Sequence, residues 1–392
     1  MTLIRMADTP GIKINHTVDS NKTVPQKDVV NLFSGIFHRH HAAENHKDTI
    51  TSKPVFTAVP AVGYTLQSKL VATLSGNVVF HFNPAANLST ITASAAYTQR
   101  KQFTLPIESN IWTKGNKYNL AGDFRFYKYP QSTYGLGSSS PGANENQMTY
   151  SYFRFYEMIQ TKIASNFFAG AGYILDYHWN ISEQGTKSGE ISDYKKYGTA
   201  SHTRSAGITL NALYDIRDNP INPSKGFYTN IQYRHNYIAF GSTSAWQSVI
   251  TDVRKYIPFP GASENVLALW SYNWLILKGK PPYLDLPSNG WDSYSSTGRG
   301  YIQGRFRGVQ MVYGETEYRF RITKNGLFGG VLFANAESFS AEPGSPLQTI
   351  QPGFGTGLRI KLNKVSKTNI SIDYGFGANR SNGLFINIGE LF

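Results

Sequence analysis

Strict alternation of charged and apolar residues in one stretch near the C-terminal end is the feature that most constrains this fold. Charged side chains occupy every second position there: Glu315, Glu317, Arg319 and Arg321. The positions between them are Thr316, Tyr318, Phe320 and Ile322. Side chains on a β-strand point to opposite faces with a period of two, so one face carries four charges and the other is largely apolar. A soluble sandwich would bury the apolar face, whereas a membrane barrel would turn it to lipid and line its interior with the charges.

Composition favours the barrel. Charged residues make up only 16% of the chain and aromatic residues 14%, which suits a barrel with aromatic girdles at both lipid interfaces. The sequence has no apolar run near the roughly 18 residues that a membrane helix needs. The chain has no cysteine, which excludes disulfides and thiolate metal sites.

Strand-like runs separated by turn residues continue from residue 53 to the end of the chain. The predicted strands are 55–62, 70–82, 88–98, 102–112, 118–128, 149–163, 166–177, 203–215, 227–237, 245–257, 265–278, 309–323, 327–338, 351–362, 369–378 and 383–392. Sixteen is an even number, as a closed antiparallel barrel with both termini in the periplasm requires. The connections 129–148, 178–202 and 279–308 are long, which predicts that they lie outside the cell.

Three motifs carry a resemblance to a known family. They are Gly298-Arg299-Gly300-Tyr301 before the charged strand, the hairpin from Asp215 to Phe227, and a final strand that ends at Phe392. Together they resemble the BamA/TamA-type outer-membrane barrels, the bacterial surface-antigen family. The resemblance implies an all-β fold, a transmembrane antiparallel β-barrel of 16 strands with extracellular loop 6 folded into the lumen.

The resemblance also implies roles for individual residues. Arg299 in the loop motif is expected to pair inside the lumen with Glu317, and also with Glu315 and Asp373. Asn335 stands where the family usually has an aspartate, so it is expected to accept a hydrogen bond without adding charge. Gly298 replaces an aliphatic residue of the family pattern, which predicts a looser loop tip.

The hairpin and the terminal strands have further expected roles. The periplasmic turn comprises Asp215, Arg217, Asp218, Asn219, Pro220, Pro223 and Gly226, and it is read either as a rigid turn or as a docking ridge. Gly389 and Phe392 form the expected C-terminal strand signal. The seam between first and last strands contains Pro54, Pro60 and Gly383, so it is either a weak lateral gate or an ordinarily closed junction.

Residues 1–52 are assigned to an N-terminal periplasmic segment and residues 53–392 to the outer-membrane barrel. The segment is too short for one of the periplasmic repeat (POTRA) domains of the family, and residues 1–15 lack the pattern of a secretory signal. Apolar residues between 29 and 37 predict a short helix. His38, His40, His41 and His46 follow it without the companions of a zinc site, so no metal is expected.

The function implied by the resemblance is outer-membrane protein assembly, insertion or translocation in the bacterial outer membrane, as a barrel subunit with partners. The alternatives are a structural or interaction barrel without insertase activity, and a passive pore. No catalytic motif or cofactor site is found, so enzymatic activity is not expected. Expected partners are outer-membrane lipids including lipopolysaccharide, and periplasmic or outer-membrane proteins or a second copy of the chain. Nucleic acid is not expected, because the basic residues behind the net charge of +13 are dispersed.

Overall fold

The computed structural model describes residues 26–29 and 54–392, except 66–67, 84–85, 262, 293–294 and 365. A single antiparallel sheet of 17 strands dominates this part of the chain. The strands are β1 (Val55–Thr65), β2 (Lys69–Phe80), β3 (Ser89–Thr98), β4 (Phe103–Trp112), β5 (Tyr118–Lys128), β6 (Gln131–Thr133), β7 (Asn146–Ala164), β8 (Phe167–Thr186), β9 (His202–Asp215), β10 (Gly226–Asn236), β11 (Trp246–Pro258), β12 (Val266–Gly279), β13 (Gln310–Arg321), β14 (Phe328–Ser340), β15 (Gln351–Asn363), β16 (Thr368–Gly377) and β17 (Asn382–Ile388). One short helix, α1 (Asp193–Tyr197), and four 3₁₀ turns (Lys114–Asn116, Gly142–Asn144, Ile238–Phe240 and Tyr283–Asp285) lie in the connections.

Each long strand pairs with the next along the chain, from β1 with β2 to β16 with β17. The exception is β6, a three-residue strand that pairs only with β7, so that β5 also pairs with β7 directly. The sequence predicted sixteen strands; β6 is the additional one, and its three residues are too few for a periodic pattern to show.

Two strand ends differ from the prediction by more than three residues. The strand predicted at 166–177 continues to Thr186, so the first part of the segment 178–202 is strand and not loop. The final strand was predicted to reach Phe392 but ends at Ile388. Gly389 follows with φ +104°, a left-handed conformation in which the backbone leaves the line of the strand.

The two faces of the sheet differ in chemistry. On β13 the side chains of Glu315, Glu317 and Arg319 are buried, whereas outward positions on neighbouring strands expose Leu332 and Phe354. Large aromatic residues fill the inner side, including Trp270, Trp274, Phe306, Phe339 and Phe392. The core therefore lies inside the curved sheet and the apolar outer face is left uncovered. Among the described residues, no helix is long and apolar enough to cross a membrane.

The sheet curls until its two edge strands lie side by side. A Cβ atom built on Gly63 of β1 would lie 3.2 Å from Cδ1 of Ile386 on β17. In the described part of the chain, no backbone pairing joins β1 to β17, although every other neighbouring pair of long strands forms a ladder. At the seam, the Ile386 side chain of β17 therefore packs against the backbone of β1 at Gly63.

A short N-terminal piece, residues 26–29, rests on the turns at the same end as the chain terminus. The Lys27 amide donates to the carbonyl of Asn325 at 3.1 Å, and Asp28 accepts from the Lys364 amide at 2.9 Å. The rest of the predicted N-terminal helix and the four histidines between 38 and 46 lie outside the described residues.

Candidate functional site: a buried loop and its charge cluster

The connection 280–309 between β12 and β13 folds over the inner side of the sheet. Its turn is fixed by Asp292, whose carboxylate accepts hydrogen bonds from the amides of Ser296 at 3.0 Å and Thr297 at 2.9 Å. The next residue, Gly298, has φ +79°, and a Cβ there would lie 2.9 Å from Asn289 Nδ2. The predicted looser loop tip is therefore wrong: glycine is needed at 298 because the tip is tightly packed.

Arg299, at the tip, is 1% exposed and is surrounded by carboxylates. Its Nη1 lies 2.7 Å from Asp373 Oδ2, and its Nη2 contacts both Glu315 and Glu317. The ring of Phe333 lies beneath the guanidinium, 3.7 Å from ring centroid to Cζ. The structure thus brings together the four charged residues that the sequence had placed in one site, and charge-assisted hydrogen bonds hold the loop tip against β13 and β16.

Three more charged residues extend this site, and the sequence analysis missed their part in it. Arg319 Nε lies 2.7 Å from Glu317, Arg359 Nη1 lies 2.5 Å from Asp373, and Arg359 Nε lies 2.7 Å from Glu390. Arg359 could have been suspected from its inward position in the alternation of β15. Glu390 could not, because it lies beyond the end of the last strand. The Arg299 cluster is defined here as Arg299, Arg319, Arg359, Glu315, Glu317, Asp373 and Glu390.

Glycines on β15 and β16 make room for the loop tip. A Cβ on Gly353 would lie 2.6 Å from the Arg299 carbonyl oxygen, and one on Gly375 would lie 2.7 Å from the Gly300 amide nitrogen. Any larger side chain at either position would collide with the loop backbone. These two strands therefore form a shallow trough that is matched to the backbone of the motif.

Tyr301 and Asn335 secure the same backbone. The Tyr301 hydroxyl donates to the carbonyl of Pro352 at 2.6 Å and accepts from the Ala378 amide at 2.8 Å. Asn335 donates from Nδ2 to the Arg299 carbonyl at 3.0 Å. Asn335 was expected to accept a hydrogen bond, but at this position it acts as a donor, a role that aspartate could not fill at neutral pH.

A second attachment holds the first part of the loop to the opposite wall. Ser205 Oγ on β9 donates to Asp285 Oδ2 at 2.6 Å, and His178 Nδ1 on β8 lies 3.5 Å from Asp285 Oδ1. Burial, and then the negative charge of Asp176, raise the pKa of Asp285 to about 7. The loop is thus attached at Asp285 as well as at Arg299, and the sequence indicated only the attachment at Arg299.

The predicted periplasmic turn, between β9 and β10, is held by internal hydrogen bonds and reaches across the end of the sheet. Asp218 accepts hydrogen bonds from the amides of Ser224 at 2.8 Å and Lys225 at 3.1 Å. Asn222 Nδ2 donates to the Lys367 carbonyl at 3.3 Å, and Lys367 Nζ lies 3.8 Å from Asp218. The turn after β9 therefore contacts the turn between β15 and β16, which the sequence did not predict.

The remaining turn residues hold the same turn together. Asn219 Oδ1 accepts from the amide of Ile221 at 2.9 Å, just after Pro220, and Arg217 Nη2 lies 2.7 Å from Asp215. Gly226 closes the turn with φ +118°, where a Cβ would lie 2.3 Å from the Ile216 carbonyl oxygen. Pro223 lies within the same turn and is buried.

Phe392 lies inside the sheet, not at the end of a strand. Its ring stacks on Trp270 with 5.0 Å between centroids, and its carbonyl oxygen accepts a hydrogen bond from Arg319 at 2.9 Å. Gly389 and Phe392 were predicted to belong to the final strand, but both lie beyond its end. Gly389 turns the chain inward, and Phe392 packs in the core next to the Arg299 cluster.

Known proteins share this fold. The Omp85 superfamily domain matches residues 85–392. BamA from Haemophilus ducreyi lacking POTRA domains 1-3 superposes with a TM-score of 0.54 at 13% identity, covering 86% of this chain and 70% of that one. CdiB from Acinetobacter baumannii gives 0.56 at 13% identity, with 86% and 59% covered. CdiB from Escherichia coli gives 0.53 at 9% identity, with 86% and 62% covered.

These identities establish similarity of fold alone, and this chain spans less than two thirds of both CdiB chains. No curated protein matches the sequence. The superfamily match covers most of the chain, including all three motifs that the sequence singled out. This chain therefore belongs to the Omp85 superfamily and is an outer-membrane β-barrel protein of that family.

Proposed function

We propose that this protein takes part in outer-membrane protein assembly or translocation, as a barrel subunit that works with protein partners. The proposal takes the sixteen long strands to span the membrane, with loop 280–309 inside the lumen. The apolar outer face and the buried polar inner face support this arrangement, because lipid-facing and lumen-facing positions alternate along membrane strands.

The observation that carries the proposal is the seam. The edges of β1 and β17 face each other without a backbone ladder in the described part of the chain. Unsatisfied backbone groups in hydrocarbon cost several kcal/mol each, so such an edge favours any extended segment that can pair with it. An incoming strand could add to β1 or β17 by β-augmentation, which is the physical step that strand insertion needs.

The test is purification from native membranes in a mild detergent, followed by determination of the mass and composition of the intact particle. Co-purifying periplasmic or outer-membrane proteins would support an assembly or translocation subunit, since a partner could deliver substrate chains to the seam. A lone barrel or a homodimer would contradict the proposed need for partners.

A disulfide engineered across the seam tests the mechanism separately. Locking β1 to β17 should abolish substrate processing under oxidising conditions and restore it on reduction. Full activity of the locked protein would exclude insertion through the seam.

The second candidate is a structural barrel without insertase activity. The Arg299 cluster is consistent with it. Its seven buried charged residues tie the loop to β13, β15 and β16 and would brace the barrel even if the protein transports no substrate. A passive pore is less well supported, because the loop occupies the inner side of the sheet. Single-channel recording distinguishes the two, since a braced and filled barrel should stay silent.

A further inference from the structure

Four basic side chains converge on one cleft at the loop ends of the first strands. Lys69, Arg100, Lys101 and Lys187 line it together with the glutamines 99, 147 and 184, and Glu145 is the one carboxylate in the lining. The cleft, called here the rim cleft, has a volume of about 480 Å³, which is ample for a phosphate group with its attached sugar.

Hydrogen bonds between hairpins build the rim cleft. The Gln99 amide in the β3–β4 turn donates to the Leu70 carbonyl at the start of β2 at 2.8 Å. The buried Gln102 donates from Nε2 to the Pro130 carbonyl at 2.6 Å, which ties the same turn to the segment after β5. Three consecutive hairpin ends are thus fixed together, so the cations they carry are held near one another by the backbone.

Most of the positive charge in the rim cleft is uncompensated. Lys187 pairs with Glu145, which also accepts a hydrogen bond from Ser132 at 2.8 Å. Burial works against ionisation of Glu145, but Lys187, Ser132 and the more distant charge of Arg100 outweigh it and lower the pKa of Glu145. Within the described ranges, no carboxylate lies at ion-pair distance from Lys69, Arg100 or Lys101. Three cations therefore remain without a direct ion pair and can attract an anion, and of these Arg100 also interacts with Glu145 at longer range.

The rim cleft lies where the apolar outer face ends. Leu70, next to Lys69, is 55% exposed, and Tyr97, close before Arg100, is 59% exposed. Apolar side chains on the outside of a barrel mark the lipid band, and amphipathic rings such as tyrosine mark its edge. The cations directly beyond them are at the depth of lipid headgroups in the outer leaflet.

We propose that the rim cleft binds the phosphate groups of an outer-leaflet glycolipid of the lipopolysaccharide type. A phosphate offers three acceptor oxygens and up to two negative charges, which suits several independent lysine and arginine donors better than a single carboxylate does. The lipid tails would lie along the exposed Leu70 and Tyr97. This inference concerns lipid contact at the rim and is independent of whether the protein inserts other proteins.

The test compares lipopolysaccharide binding by the intact protein with that of the triple variant Lys69→Gln, Arg100→Gln, Lys101→Gln. A matched control, Lys114→Gln, Lys117→Gln, Lys162→Gln, removes the same charge from exposed residues at the opposite ends of the strands. Binding of rough lipopolysaccharide and of its dephosphorylated form is measured by native mass spectrometry in detergent. Heat-modifiable gel mobility checks that both variants are folded.

The triple variant should bind lipopolysaccharide at least about tenfold more weakly than the wild type and the control do, since each lysine or arginine near an anionic membrane surface adds to the binding free energy. Dephosphorylated lipid should bind the wild type as weakly as the variant binds the intact lipid. Equal binding by variant and wild type, or an equal loss in the control, would overturn the proposal. If inorganic phosphate displaces lipopolysaccharide from the rim cleft, the site recognises phosphate. If the cleft binds inorganic phosphate but lipopolysaccharide does not displace that phosphate, the glycolipid is not its ligand and the proposal is refuted.

Discussion

Replacing the buried Glu317 by glutamine should destabilise the protein more than the loss of a carboxylate at its surface. Glu317 is fully buried and contacts Arg299 of the cluster. Its carboxylate also lies 2.7 Å from Arg319 Nε and 3.9 Å from Arg359 Nη2. Glutamine keeps the shape and one acceptor oxygen but removes the charge. Its amide group would then also present donors to guanidinium groups that have only donors.

The expected loss in the free energy of unfolding follows from the carboxylates that the three arginines keep. Breaking a buried ion pair by removing one member costs about 3–5 kcal/mol, because the other charge stays buried. Arg299 keeps Glu315 and Asp373, and Arg359 keeps Asp373 and Glu390, so Arg319 loses most. The loss in the free energy of unfolding should therefore fall near the lower end, at about 3 kcal/mol.

Urea unfolding of the barrel in lipid vesicles, followed by tryptophan fluorescence and by heat-modifiable gel mobility, measures this loss. Glu264→Gln is the matched control, because Glu264 is 64% exposed in its pair with Arg321 and such surface pairs contribute about 0–1 kcal/mol. If Glu317→Gln unfolds at the same urea concentration as Glu264→Gln, the Arg299 cluster does not stabilise the fold.

Three further outcomes are expected. Gly375→Ala should release the loop tip, because its Cβ would lie 2.7 Å from the Gly300 nitrogen, whereas Gly314→Ala has no atom closer than 4.0 Å; protease cleavage within 280–309 measures the difference. Arg299→Lys should also increase cleavage, since a lysine cannot reach separate carboxylates with a planar fork. The pKa of Asp285 is higher in the folded protein than in the unfolded chain, so as pH rises from about 4 to 7 the carboxyl ionises first in the unfolded chain. The stability of this attachment therefore falls over that pH range and is constant above it. Asp285→Asn should remove that dependence, as hydrogen exchange of the loop at pH 5 and pH 8 would show.

Much of the fold could be predicted from the sequence because a half-buried strand leaves a direct trace in period-two alternation. The strand at 118–128 was predicted with the observed bounds, and most others to within three residues. The strand from 167 was predicted to end at 177 because its polar and glycine-containing second half looks like a loop. That half is held by pairing with β7, a tertiary contact that local composition does not encode.

The candidate site was predictable to the extent that it rests on motifs. The Arg299 pairings involve residues whose inward direction follows from strand alternation. Asp285 and Glu390 were missed because both lie outside strands, where side-chain direction has no period. The contact of the turn between β9 and β10 with Lys367 was missed because it joins residues far apart in sequence that meet only when the sheet curls.

The inward turn at Gly389 links the Arg299 cluster to the seam. Because the chain leaves the sheet there, β17 has only seven residues, whereas β1 has eleven, and the two edges cannot match along their full length. The four residues after β17 are held inside by Glu390 on Arg359 and by Phe392 on Trp270 and Arg319. Arg319 in turn contacts Glu317, which contacts Arg299 of the loop. One continuous set of buried contacts therefore connects the loop tip to the four residues that follow the last strand.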